Sequence, residues 1–247
     1  MNVEILPVLG VPEVRPGDDL CDLLVDSIRS TGIVLEDGDV VAVTQKVVSK
    51  AEGRLVPVGE GGKAAWVARE ARRIVARRGD LVIAETRHGF VCANAGVDAS
   101  NVEEGYLTLL PEDPDGTAER IRGFVTRAFN VEVAVVITDT FGRPWRHGLV
   151  NVAIGCAGLP SLVDLRGTKD GIGRILDVTI VALADEVAAA TGLVMGKANG
   201  VPAAVVRGVR AEGPHLPASA MVRTGEEDLF PYSPVQDETP DPGTSTS

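Results

Sequence analysis

Four groups of polar residues stand beside apolar runs in this 247-residue chain. The first is Asp139-Thr140, which follows the run EVAVVIT of residues 132–138. The second is Asp98, in ANAGVDASN, three residues before Asn101. A carboxylate fixed at the end of a strand makes a good ligand, because the rigid backbone holds the oxygen. Mg²⁺ and Mn²⁺ sites need one or two such acids, completed by phosphate oxygens and water. The plain alternative is turn or cap chemistry, the usual work of Asp in loops. Arg143, Arg146 and His147 come within a few residues of Asp139, with Pro144 stiffening the turn. Guanidinium groups beside a metal-holding acid suit phosphoryl transfer or the clamping of an anionic substrate. An Asp–Arg ion pair tying a loop would use the same residues.

The third group is Lys46, Ser49 and Lys50, shortly after VVAV. Lys46 and Lys50 are four apart, so on a helical turn they face one way and repel unless an anion lies between them. The fourth is the segment Met195, Gly196, Lys197, Ala198, Asn199, Gly200, Val201 and Pro202. Two glycines around one lysine let backbone N–H groups approach phosphates; a helix end followed by a turn would read similarly. The standard nucleotide loops are missing. Gly62-Lys63-Ala64 and Gly196-Lys197-Ala198 lack the hydroxyl and first glycine of a P-loop, and Gly171-Ile172-Gly173 lacks the third glycine of a dinucleotide fingerprint.

Composition narrows the classes. Aromatic residues are only 4%, too few for a base-stacking platform. Formal net charge is -11, yet six of the 35 acids follow Arg223, where no Lys or Arg occurs. The body is therefore only mildly acidic: a broad nucleic-acid face is disfavoured, while a local phosphate pocket is not. Cys21, Cys92 and Cys156 stand apart, as buried thiols in a reducing compartment. No run approaches the ~20 apolar residues of a membrane helix, which favours a cytoplasmic protein.

The elements that must position these groups follow from periodicity. Strands are expected at Val3–Leu9, Val40–Val43, Leu81–Ala84, Tyr106–Leu110, Val131–Thr138 and Val201–Val206, with a further apolar stretch at Leu149–Gly155. Helices are expected after an Asp18 or Asp19 cap, at Lys63–Arg78, at Pro114–Phe129 and at Ile175–Thr191, the last ended by Gly192. Glu85–Asn101 and Asp164–Arg174 read as loops. Apolar runs that succeed one another without a helix between them point to a mixed α+β fold. Residues 1–223 are expected to form the folded body, and 224–247 an acidic Pro/Ser/Thr-rich tail or linker remnant.

Leu6-Pro7-Val8-Leu9, VVAVTQKVVSKAEGR, ANAGVDASN, ITDTFGRPWRHG, DLRGTKDGIGR and MGKANGVPAAVVRG occur in this order. Together they resemble the coenzyme F420-0:L-glutamate ligases, F420 being a deazaflavin cofactor. The resemblance runs from the first strand to about Phe230. It implies an α+β mixed-sheet ligase fold of two intimately packed subdomains, a homodimer, GTP as co-substrate and Mg²⁺ or Mn²⁺, with room for K⁺. It implies addition of L-glutamate to F420-0, then of further glutamates by γ-linkage. Position by position it makes Asp98, Asp139 and Thr140 metal ligands. It makes Leu6, Pro7, Val8, Leu9, Gln45, Lys50, Asn101 and the segment from Met195 to Pro202 nucleotide contacts. Two features depart from the family: Lys197 stands where a second metal is expected, and the body runs into a Pro/Ser/Thr tail where many relatives continue into a flavin-binding domain, which fits either a free-standing ligase or one whose second domain has been removed.

A carboxylate forms an amide only once its oxygen is made a leaving group. Transfer of the GTP γ-phosphoryl group would give an acyl phosphate, which the glutamate amine attacks. Arg143 and Arg146 would hold the acceptor or glutamate, and His147 is a candidate base. The competing reading is a non-catalytic F420- or nucleotide-binding module, which would release no GDP when glutamate is supplied.

Overall fold

The computed structural model describes residues 2–210 and 212–230. The expected tail therefore lies largely outside the described residues. β1 (Glu4–Val8) leads to α1 (Leu20–Thr31), whose first turn is capped by the Asp19 carboxylate, accepting from the Cys21 and Asp22 amides. Leu20, Leu24 and Ile28 form its buried stripe, each contributing ~1.5–3 kcal/mol by leaving water. β2 (Val40–Thr44) runs straight into α2 (Gln45–Ala51). β3 (Leu55–Pro57) and α3 (Gly62–Glu70) follow, then β4 (Ala71–Arg78), β5 (Leu81–Thr86) and β6 (Val91–Ala93). β7 (Tyr106–Thr108) precedes α4 (Pro114–Phe129), which starts on proline behind its Asp113 cap. A long hairpin, β8 (Ala134–Arg143) and β9 (Arg146–Ala157), is followed by β10 (Val163–Asp164), β11 (Ile180–Val181), α5 (Leu183–Met195) and β12 (Ala203–Arg207).

The main sheet has the order β1-β12-β2-β8-β9. Only β2 and β8 are parallel; the remaining neighbours are antiparallel. One face packs on α1 and α4 through Leu24, Ile28, Val41, Val43, Ile121, Val125, Val135 and Ile137. The other packs on α5 through Val40, Val136, Ala153, Ala184 and Val187. A separate three-stranded sheet, β4-β5-β6, encloses its own cluster of Val67, Val82, Ala84, Val97, Leu107 and Leu109. The protein is mixed α+β with mixed sheets, as its uninterrupted apolar runs predict.

Several expected elements are corrected. The helix expected at Lys63–Arg78 stops at Glu70, and ARRIVARR is the strand β4. Ala and Arg are good helix formers. Here Gly79-Asp80 makes a tight hairpin to β5, and Arg72 and Arg73 both pair with Glu85 across it. The expected loop Glu85–Asn101 contains the end of β5, all of β6 and a 3-10 turn at Asn94–Gly96. The helix expected at Ile175–Thr191 begins only at Leu183: within the β-branched stretch Val178 to Val181, Ile180 and Val181 are extended and pair β11 with β10. Nor does Gly192 end α5. It lies inside the helix and Gly196 caps it, Gly192 being small because Asn151 crowds its face. Finally, Asp139 and Thr140 sit within β8, not after it.

Candidate active site at the open edge of β8

The parallel ladder between β2 and β8 ends at the pair Thr44–Thr138. There β2 turns away into α2, so from Asp139 onward β8 is paired with β9 alone. Although Asp139 is not at the end of its own strand, it is at the end of its neighbour's. Side chains alternate along a strand, so Asp139, opposite Val152, faces the side of α1 and α4. Thr140, opposite Asn151, faces the α5 side. With no strand beside this edge, groups from both faces can meet around it.

Asp98 arrives from the small sheet. Asn94, Ala95 and Gly96 all adopt left-handed backbone conformations, which costs energy in a residue with a side chain. Gly96 has no alternative, because a Cβ there would stand 2.5 Å from Leu110 Cγ. Asp98 is then pinned by a backbone bridge to Thr108, with N–H···O distances of 3.0 and 2.8 Å. Its carboxylate accepts from the Ser100 amide at 2.9 Å and the Ser100 hydroxyl at 2.7 Å, and it pairs with Lys46 Nζ at 2.7 Å. Burial opposes its charge, but the bonds from Lys46 and Ser100 outweigh that and hold its pKa below the ordinary value.

Lys197 comes from the other face. It follows the Gly196 cap of α5 and donates to the Thr140 hydroxyl, which itself bonds Asn151 Oδ1 at 2.8 Å. The loop carrying it closes over the end of β2, where the Thr44 amide donates to the Pro202 carbonyl at 2.8 Å. Asn101 Nδ2 donates to the Lys197 carbonyl at 3.4 Å, joining the Asp98 loop to this one.

Asp139 lies among all of these. Burial pushes its carboxyl up to about 6, the Thr140 amide opposes this, Asp98 raises it further, and Lys46 and Lys197 lower it. It therefore feels Asp98 and both lysines. No side chain among the described residues donates a hydrogen bond to it. A half-buried acid whose one hydrogen-bond donor is a backbone amide, beside a second acid, is what a divalent cation would satisfy, with phosphate oxygens and water completing the shell. The donor set fits Mg²⁺ or Mn²⁺. Among the described residues no third His, Cys, Asp or Glu side chain joins the two acids in a cluster. Cys92, on β6, is pushed to about 12 by burial, with Asp139 adding to the effect; it is no nucleophile.

The other expected residues are placed as follows. Asn101 and the segment from Met195 to Pro202 border the acids. Gln45 is buried and accepts from Ser49 at 2.8 Å. Lys50 is also buried, and its ammonium pairs with Glu13 rather than with either aspartate. Leu6, Pro7 and Leu9, with Gly10, Ser30, Thr31 and Ile33, line an open depression of about 440 Å³ on the edge strand, and Val8 is buried beneath it. Arg143, Arg146 and His147 are at the hairpin tip. Arg143 lies four residues beyond Asp139, ~13 Å along an extended strand. Its guanidinium donates to the His147 carbonyl, so neither it nor Arg146 pairs with Asp139.

Three residues of the site were not expected there. Lys46, read only as half of an anion-binding pair with Lys50, is the lysine that reaches Asp98. Its signal was available: it lies one residue into the helix that replaces β2. Ser100 carries the Asx-turn pattern two residues after Asp98. Asn151 had no usable signal, because register shifts in the hairpin, at Gly142/Arg143 and at Ile137/Thr138, hide its pairing with Thr140.

Two acids and two lysines converge on an open strand edge, a set of groups that could take a divalent cation and the oxygens of a polyanion. The family model of F420-0:Gamma-glutamyl ligase matches residues 9–208. Curated relatives extend the likeness along the chain. The Coenzyme F420:L-glutamate ligase of Methanothermobacter thermautotrophicus is 42% identical, over 93% of this chain and 99% of its own. That of Methanopyrus kandleri is 45% identical over 93% and 98%, and that of Archaeoglobus fulgidus 40% over 93% and 97%. The chain belongs to the F420-0:gamma-glutamyl ligase family and is an enzyme of the ligase class.

Proposed function

We propose that the chain joins L-glutamate to coenzyme F420-0, and then further glutamates by γ-linkage, using GTP to form an acyl phosphate. The observation that carries this reading is the meeting of Asp139 with Asp98, Lys46 and Lys197 at the edge of β8. The relatives' names supply the substrates; the geometry supplies a place where phosphates could be held.

In this reading Asp98 and Asp139 hold a divalent ion, Mg²⁺ or Mn²⁺, with Thr140 beside it. When bound, that ion would neutralise charge on the phosphates during transfer. The chain's own residues do the rest. Lys46 and Lys197 direct ammonium groups at phosphate oxygens. The loop Met195 to Pro202 offers backbone N–H groups, with the turns at Gly196 and Gly200 letting it approach closely. Asn101 ties that loop to the acid loop. Leu6–Leu9 supply the apolar depression for the guanine base, Gln45 lies behind α2, and Lys50 reaches a phosphate only by leaving Glu13. Arg143 and Arg146 extend from the hairpin tip toward an anionic acceptor or glutamate, and His147 accompanies them as a base. The same reading takes 1–223 as the catalytic domain, with the β4-β5-β6 sheet as a second, intimately packed subdomain, in a cytoplasmic homodimer. Exposed Trp145, Leu149 and Leu193 supply apolar surface for a second copy. No helix among the described residues is long and apolar enough to cross a membrane.

The test is direct. Purified protein with F420-0, L-glutamate, GTP and Mn²⁺ should yield glutamylated product by mass, with GDP released in step. Binding of F420-0 without GDP release or added glutamate would leave only a binding module.

A further inference from the structure

The two faces of β8 are not equivalent around the candidate cation. On the Asp139 face two carboxylates converge, one of them lacking a side-chain partner. On the Thr140 face the Thr140 hydroxyl bonds the Asn151 amide oxygen, and Lys197 is already on that hydroxyl. No third acid joins them among the described residues. A divalent ion on the Thr140 face would have neutral ligands only and an ammonium as its neighbour.

We propose that Lys197 is this enzyme's built-in second cation: the site takes one divalent ion, between Asp98 and Asp139, and the Lys197 ammonium meets the nucleotide's phosphates from the Thr140 face. This rests on the GTP-dependent reading above. Charge balance supports it. The two aspartates and the two lysines cancel, so one divalent ion leaves the site net positive before a triphosphate enters. The placement of Lys197 supports it as well. The Gly196 cap starts its loop, Asn101 holds its carbonyl, and Thr140 receives its ammonium, so the charge is positioned before any ligand arrives. A fixed ammonium needs no dissociable ion on that face, so nucleotide affinity should follow Mn²⁺ concentration as a single-ion event.

Metal stoichiometry tests this without any turnover. Purified protein is titrated with Mn²⁺ in the presence of a non-hydrolysable GTP analogue, and free Mn²⁺ is followed by electron paramagnetic resonance. One Mn²⁺ per chain is expected, and Lys197→Glu, which puts a carboxylate on the Thr140 face, should gain a second. Two ions per chain in the unaltered protein, or no second ion in a folded Lys197→Glu, would overturn the proposal. Should Lys197→Glu fail to fold, Lys197→Met keeps the stem without the charge. It should bind one Mn²⁺ yet hold the GTP analogue roughly 10- to 100-fold more weakly, the loss expected for one charged hydrogen bond. Undiminished nucleotide affinity in Lys197→Met would equally defeat it. If the unaltered protein takes up no Mn²⁺ at all with the analogue, the metal-dependent reading itself fails, a result distinct from a second ion.

Discussion

The five-stranded sheet and the three-stranded sheet each bring one aspartate to the site, and they hold it by different means. Asp139 stands in the middle of β8, where burial raises its pKa, Asp98 adds to the rise, and its neighbour's amide, Lys46 and Lys197 oppose it. Asp98 stands on a loop that is bent through left-handed residues and then tied down by hydrogen bonds from Ser100 and Lys46. The first acid is positioned by the core and left electrostatically unsatisfied. The second is already satisfied and positioned by local contacts. A cation entering this site would therefore find its driving force at Asp139, and would have to displace Lys46 at Asp98.

The largest expected effect follows from that asymmetry. Asp139→Asn keeps shape and removes the charge, so GTP-dependent glutamate addition should fall by several kcal/mol of transition-state stabilisation, ~10³-fold or more. Circular dichroism should stay native. Near-normal turnover in a folded Asp139→Asn protein would show that the acid in the core is not the one that matters.

What could be read from the sequence divides along the same line. The strands of the main sheet are continuous runs of Val, Ala and Ile, a pattern that only two-sided burial explains, and β2, β8 and β12 were legible for that reason. α4 was legible from Pro114 to Phe129 through its proline and its apolar stripe. The small sheet was not. Its strand ARRIVARR has the composition of a helix, and only its pairing with β5 and the Arg–Glu contacts across the hairpin make it extended. The settings of Asp98 and Asp139 mark them out in the sequence, but their proximity is not visible there. Nothing in the chain order shows that Lys46, Lys197 and Asn101 converge on them, since that depends on β2 ending one residue before α2 begins.

A second prediction sharpens the state of Asp139 in metal-free protein. Its folded pKa of about 6 lies above its ordinary 3.8, so the folded protein holds this proton more tightly than the unfolded chain. Below about pH 4 both states are protonated and no penalty exists. As pH rises toward 6 the unfolded chain ionises first, and stability falls by at most about 3 kcal/mol, after which the loss is constant. Asp139→Asn lacks this term. Urea titrations should show the variant gaining on the unaltered protein between pH 4 and pH 6. A gap that does not change with pH would mean that the carboxyl is not desolvated.

The local bracing of Asp98 is probed by Gly96→Ala. A methyl group there meets Leu110 side-chain carbons at 2.5–2.9 Å, at a φ of +74°. The substitution should cost about 1–3 kcal/mol. It should also lower activity by moving Asp98, while hydrogen exchange in β2 and β8 stays slow and exchange around β6 and β7 quickens. If the whole chain loosens equally, the small sheet is not an independent support.

The smallest effect is expected where neither sheet braces the residue. Arg146 is exposed at the hairpin tip, and substitution of such a surface residue moves stability by less than about 0.5 kcal/mol. If it holds an anionic substrate, Arg146→Ala should raise the KM for glutamate or F420-0 and leave Mn²⁺ and GTP-analogue binding unchanged, because the tip is a strand's length from the aspartates. An equal loss of nucleotide binding would place the tip over the phosphates and bring the hairpin into the same site as the two acids. Unchanged kinetics throughout would leave the tip outside catalysis, and the chemistry would then belong to the edge of β8 alone.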